Sequence, residues 1–310
     1  MNPGIKVFAP ASVANVACGF DILGFALEFP GDEIIARFKD RRGLEISKIT
    51  GDGGRLPKEI EKNTAGVAAR NLLQFLGEET RGIELEIHKK MPFGSGLGSS
   101  AASAAGAVVA INELLRRPLT KEALLRFAVE GEQIADGAFH ADNVAPSLLG
   151  GFTLTRTGES IECHKIPVPA GLIVVIIYPH IEILTKDARS IINKNISLDD
   201  HIAQSSYLAG FILGMLQSNF DLIRKSMKDL IIEPQRARMI PHFYKVQQLA
   251  MSNDALGCSI SGAGPSIFSF FTSTPAAETA MQYMKEVYLL TDIPVSTYIS
   301  KINPFGTMVL

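Results

Sequence analysis

Residues Pro92–Leu115 read PFGSGLGSSAASAAGAVVAINELL. Three glycines, Gly94, Gly96 and Gly98, lead into a helical pattern over Ser99–Leu115. A helix made almost wholly of Ala, Gly, Val and Ile has no polar face for water, so the pattern predicts a buried helix. Its free N–H groups and positive dipole end would face the glycine loop. Glycine has no Cβ, so the loop backbone can approach a ligand closely. Together these features describe a rigid anion cradle, with the hydroxyls of Ser99 and Ser100 available to phosphate oxygens or a Mg²⁺ ion. On the residues alone, a tight turn entering a core helix stays open as the other reading. The lysine of G-x-x-x-x-G-K-[ST] is missing. The even glycine spacing does not match G-x-G-x-x-G, and no acidic residue closes a following strand about 20 residues on as a dinucleotide fold needs.

The rest of the chain mixes strands and helices without regular alternation. IKVFAPAS, EIIARFKD, LEISKIT and the alternating LEIHKKM read as strands in the first hundred residues. Asn63–Gly77 reads as a helix stopped by glycine, and Thr120 caps a further helix through residue 137. GGFTLTRT is a strand, and LIVVIIYP, apolar on both faces, is a buried one. Helices are expected near Asp199–Leu216 and Asp221–Leu230, then a strand, glycine turn and strand in ALGCSISGAGPSIFSFF, then the helix PAAETAMQYMKEVYLL and a last strand IPVSTYISKI. The pattern is α+β in two domains, 1–155 and 156–310, rather than a doubly wound sheet.

Composition narrows the partners. Lys+Arg 30 against Asp+Glu 32 leaves no basic excess for a nucleic-acid backbone. The longest apolar run, Ala170–Pro179, is half of a membrane span, and no secretion signal precedes the first strand. Three scattered cysteines, Cys18, Cys163 and Cys258, form neither a disulfide framework nor a metal spacing, so a cytoplasmic location is expected.

PFGSGLGSSAA (Pro92–Ala102) resembles the ATP-binding motif of the GHMP kinases, P-x-x-x-G-L-G-S-S-A-A, with every fixed position present. APASVANVACGFD (Ala9–Asp21) is similar to the family's N-terminal substrate motif, and GCSISGAGPSIF (Gly257–Phe268) to its C-terminal glycine loop. Ala17 and Cys18 stand where a glycine and a small residue are expected, while Asn15 and Asp21 are kept. HADNVAPSLLGGF, TKDAR and EPQRARMIP are similar to the branch whose substrate is L-homoserine. The resemblance implies a ribosomal protein S5-like N-terminal domain and a ferredoxin-like C-terminal domain. It further implies ATP and Mg²⁺ as cofactors and a homodimer.

A small amino-acid alcohol carries an ammonium, a carboxylate and a hydroxyl. Asp21 suits the ammonium, and Arg189 and Arg236 suit the carboxylate through the two-pronged guanidinium. Read alone, Asp21 is first a turn cap, and the arginines are surface charges. The resemblance carries Asn15, Asp21, His140, Asn143, Thr185, Arg189, Arg236 and Gly262 over to substrate binding. It assigns Asp142 and Asn143 to the substrate hydroxyl as the catalytic pair. Asn63 takes the adenine side, and the whole run Pro92, Phe93, Gly94, Ser95, Gly96, Leu97, Gly98, Ser99, Ser100, Ala101 and Ala102 takes the phosphates. Ser100 and Glu132 are the implied Mg²⁺ ligands. Glu130, two residues away on the same helix, must face elsewhere and reads as a solvated charge. Other members of the family, acting on mevalonate, shikimate or a sugar, form the alternative, and a non-catalytic ligand binder is the alternative of another class.

Overall fold

The structure is a computed structural model describing residues 4–137, 139–158 and 160–310. Its first half runs β1 (Ile5–Ala14), β2 (Leu23–Phe38), β3 (Leu44–Thr50), α1 (Thr64–Phe75), β4 (Ile83–His88), α2 (Ser99–Leu114), α3 (Lys121–Asp136), α4 (Val144–Leu149), β5 (Phe152–Thr157) and β6 (Ile161–Ile166). The second half runs β7 (Ile173–Pro179), α5 (Thr185–Ser190), α6 (Leu198–Gln217), α7 (Phe220–Ser226), α8 (Glu233–Arg236), α9 (Phe243–Ser252), β8 (Gly257–Ile260), β9 (Ile267–Phe271), α10 (Thr274–Leu289), β10 (Val295–Ser300) and β11 (Met308–Val309).

The first sheet has the order β11-β1-β2-β4-β3, with β5 also on β2 and β6 on β5. Among the described residues only β3 and β4 pair in parallel. Side chains cap the helices as the sequence suggests: Asn63 accepts from the Ala65 and Gly66 amides, and Thr120 from Ala123. α2 lies between this sheet and the helices α1 and α3, and Ala101–Asn112 are all buried. Its small residues are what allow this depth. A Cβ on Gly106 would stand 2.4 Å from Ile34 Cγ1 of β2, so any larger residue would push helix and sheet apart.

The second sheet is antiparallel in the order β10-β7-β9-β8, the strand order of a ferredoxin-like unit. β7 is buried on both faces. Val175 and Ile177 join a core with α9 and α10, while Val174 and Ile176 face a core shared with the first half. In that shared core Phe25 of β2 packs on Phe152, Phe268 and Phe270 at ring distances of 5.5, 5.8 and 5.3 Å. The sheets therefore share apolar surface, and truncating Phe25 to alanine should cost about 3–5 kcal/mol.

Two expectations differ from the observed elements. The division at residue 155 falls inside β5, and the β5–β6 hairpin stays with the first sheet, so the chain changes sheet between residues 167 and 172. β11 then returns to β1. The helix expected over Asp221–Leu230 stops at Ser226, because the Asp229 carboxylate accepts the backbone N–H groups of Ile231, Ile232 and Glu233 and opens α8 instead. Among the described residues no helix is long and apolar enough to cross a membrane.

Candidate active site

Two cavities meet between the halves. The larger, about 430 Å³, is walled by the glycine loop, the starts of α1 and α2, and Ile183–Lys186 around the start of α5. The smaller, about 50 Å³, is lined by Asn15, Asp21, His140, Asp142, Arg189 and Arg236 among others. Glu132, Asn143, Thr185, Gly262 and Ala263 line both.

The larger cavity fits a polyphosphate. Gly94, Gly96 and Gly98 have φ of +63°, +76° and +65°. A Cβ on Gly96 would stand 2.5 Å from the Ser261 carbonyl, so only glycine lets the two glycine loops touch. Ser261 Oγ donates to the Gly96 carbonyl at 2.7 Å and fixes that contact. α2 starts at Ser99 against the cavity wall, which brings its free amides to the loop. Ser95 Oγ is buried with no partner among the described residues, a hydroxyl left for a ligand on the wall of this cavity. Ser100 Oγ donates to Glu132 Oε1 at 2.6 Å. These two hard oxygens at the junction of the cavities fit Mg²⁺, which takes one or two protein ligands beside phosphates and waters. Glu130 turns away as its position on α3 requires, but it is not simply solvated: its Oε2 accepts from Asn71 Nδ2 at 2.8 Å.

Within the motif the side chains divide between the cavity and the cores. Phe93–Gly96 and Gly98–Ser100 line the cavity, whereas Leu97, Ala101 and Ala102 are buried in the cores on either side. Pro92 is off the cavity wall. These four shape the loop and support it. Asn63 lies on the wall, but its side chain is engaged by the cap of α1 and the Pro57 carbonyl.

Lys89 escaped the motif reading. Its ammonium is buried beneath the start of α2. It pairs with the Asp32 carboxylate and donates to the Ser99 carbonyl and to Ser103 Oγ, both at 2.7 Å. Lys89 also lines the larger cavity, so the loop has a lysine behind it rather than within it. Alternation along β4 was the available signal: Ile83, Leu85 and Ile87 are buried, and the same period points Lys89 inward.

The smaller cavity gathers charge. Asn15–Ala17 form a left-handed turn with φ of +70°, +45° and +57°, a strained run for residues with side chains. The turn is tied down at both ends of the Asn15 amide: Nδ2 donates to the Gly262 carbonyl at 2.9 Å, and Oδ1 accepts the Asp21 N–H at 3.0 Å. Arg189 of α5 donates two bonds to the Asp21 carboxylate, at 2.9 and 3.0 Å, and His140 Nε2 stands 3.6 Å from the same group. Arg236 is 3% exposed and donates to the carbonyls of Ala188 and Gly262. Burial and the Arg189 charge push its guanidinium down to about 10. Burial, then the Asp21 charge, pushes the Asp142 carboxyl up to about 7. Asp142 is thus poised between its two forms near neutral pH, as a proton acceptor for an alcohol requires.

The arrangement offers an anion cradle on one side, a carboxylate with two guanidinium groups on the other, and a near-neutral aspartate between them. Residues 63–151 match the GHMP kinases N terminal domain, and residues 211–289 match the GHMP kinases C terminal domain. A homoserine kinase of Chlorobium phaeobacteroides is 43% identical over 317 residues, with 99% of each chain covered. One of Xylella fastidiosa is 37% identical over 98% of this chain and 94% of its own. The crystal structure of homoserine kinase from Cytophaga hutchinsonii superposes with a TM-score of 0.97 at 50% identity, covering 100% of this chain and 98% of the other.

Proposed function

The chain belongs to the GHMP kinase family, and on that premise we propose that it transfers the γ-phosphoryl group of ATP to the hydroxyl of L-homoserine. The product, O-phospho-L-homoserine, serves threonine biosynthesis. The observation that carries this reading is the meeting of the two cavities on Glu132, Asn143 and Thr185. It gives donor and acceptor a common wall.

The residues divide the work. The glycine-loop amides, the start of α2 and the Ser95 hydroxyl hold the phosphates. When bound, Mg²⁺ neutralises charge on the phosphate oxygens, and Ser100 and Glu132 would hold it. Asp21 takes the substrate ammonium, and Arg189 and Arg236 take its carboxylate. Asp21 and Arg189 bond each other, and a zwitterion offers each of them a further group of opposite charge. Asp142 accepts the hydroxyl proton, and Asn143 orients the reacting groups. In a loose phosphoryl-transfer transition state, positioning and charge matter more than base strength, so a carboxyl titrating near 7 suffices.

Mevalonate, shikimate and sugars lack the ammonium and would give Asp21 no cation of the substrate to bind. Incubation of purified protein with ATP and Mg²⁺ against a panel of these alcohols and homoserine, read by coupled ADP release, tests the assignment. Homoserine should be the fastest acceptor by at least about 100-fold, and a faster mevalonate or sugar would overturn it. The oligomer proposed is a homodimer. Exposed Leu198, Ile202, Leu213 and Leu216 lie along one side of α6, a face a second copy would cover. Sedimentation should give twice the 33.5 kDa chain mass, and Leu213→Glu should shift it to one. The cysteines are all free thiols, as a cytoplasmic enzyme would keep them.

A further inference from the structure

Ser12 has no part in the roles above. It lies on β1 and is fully buried. Its backbone N–H donates to the Leu97 carbonyl at 3.0 Å, stapling β1 to the glycine loop. Its hydroxyl donates to Asn143 Oδ1 at 2.9 Å. Gly98 crosses the same point: a Cβ there would stand 2.1 Å from Ser12 Oγ and 2.8 Å from Asn143 Oδ1. Strand, phosphate loop and the turn that opens α4 thus converge on one hydroxyl.

Asn143 lines both cavities. Its amide has one acceptor end and one donor end, and rotation about the last side-chain bond exchanges them. Only the donor end suits a phosphoryl group, because an amide oxygen aimed at phosphate oxygens is repelled. With Oδ1 engaged by Ser12, Nδ2 is the end left for the junction. We propose that Ser12 is a positioning residue for phosphoryl transfer, its hydroxyl holding the Asn143 amide with the nitrogen toward the transferred group. The inference rests on the kinase reading but not on which alcohol is the acceptor. Ser12 touches neither reactant, so its effect belongs in the rate of transfer and not in binding.

The test compares wild type, Ser12→Ala, Asn143→Ala and the double variant by steady-state kinetics, using whichever alcohol of the panel the wild type phosphorylates fastest. A wrong acceptor assignment then shows in the wild type alone, and a wrong role for Ser12 shows only in the variants. Ser12→Ala should lower kcat about tenfold, the range of one lost orienting hydrogen bond, with both KM values within about twofold. The double variant should be no slower than Asn143→Ala, because the hydroxyl acts through that amide. Ser12→Cys keeps a donor, weaker and on a somewhat larger atom, and should fall between serine and alanine. Thermal melts of all five proteins accompany the rates. An unchanged kcat in Ser12→Ala, a loss confined to KM, or losses that multiply in the double variant would each overturn the proposal. So would a Ser12→Ala rate loss that Ser12→Cys does not relieve when both melt like the wild type.

Discussion

Asp142→Asn should make the protein more stable and the enzyme slower, and the gain in stability should grow with pH. The carboxyl is held at about 7 by burial and by Asp21, against 3.8 in the open chain. The difference, 7 − 3.8, is about 3 pH units, and at about 1.36 kcal/mol per unit it amounts to about 4 kcal/mol. The sign follows from proton counting. Between pH 4 and 7 the folded protein binds this proton more readily than the unfolded chain, so stability falls as pH rises and levels off above 7. Asparagine has no proton to lose and escapes that penalty. Urea unfolding at pH 4.5 should separate variant and wild type by only about 1 kcal/mol, and at pH 8 by about 4 kcal/mol in favour of the variant. Over the same range kcat should drop by at least about 100-fold. A difference in stability independent of pH, or a variant less stable than wild type at pH 8, would refute the account of Asp142 as a desolvated carboxyl at the heart of the site.

Three further outcomes follow from the same geometry. Arg189→Ala should raise the homoserine KM about 10- to 100-fold while leaving the ATP KM near wild type, since it lines the smaller cavity and bonds Asp21 there; equal effects on both substrates would contradict the division of the site. Glu132→Gln should raise the free Mg²⁺ needed for half-maximal rate by at least about tenfold, measured by metal titration at fixed ATP; an unchanged requirement would remove Glu132 from the metal. Lys89→Met should destabilise the fold by about 3–5 kcal/mol in urea unfolding, because it leaves the fully buried Asp32 carboxylate uncompensated; a loss below about 1 kcal/mol would mean the pair adds little.

Much of the site was legible because its residues sit in short stretches with local rules. The glycine loop, the buried character of α2 and the separate directions of Glu130 and Glu132 all follow from spacing. The division of labour inside the loop did not, since only packing shows that Leu97, Ala101 and Ala102 turn into the cores. α4 was hidden by its length of six residues and its internal Pro146, features that carry no helical period. Arg236 looks like any arginine in sequence, and its burial depends on carbonyls contributed by Ala188 and Gly262 far along the chain. The Ser12–Asn143 contact spans 131 positions, a separation at which no local pattern operates. The change of sheet was displaced because GGFTLTRT pairs with β2, a partner chosen by tertiary packing.

The return of β11 to β1 ties the order of folding to the order of synthesis. β1 is made roughly 300 residues ahead of its partner, so Val7 and Phe8 must wait for Val309 and Met308. Gly150, at the turn into β5, packs against Phe305 and Gly306, and the Thr307 hydroxyl reaches back to the Ser147 carbonyl. At roughly 5–20 residues per second, the edge of β1 stays unpaired for roughly 15–60 s of translation. The half of the molecule that carries the phosphate loop is thus completed by a strand made roughly 300 residues after β1. A chain truncated before β11 would present that open strand edge to its neighbours.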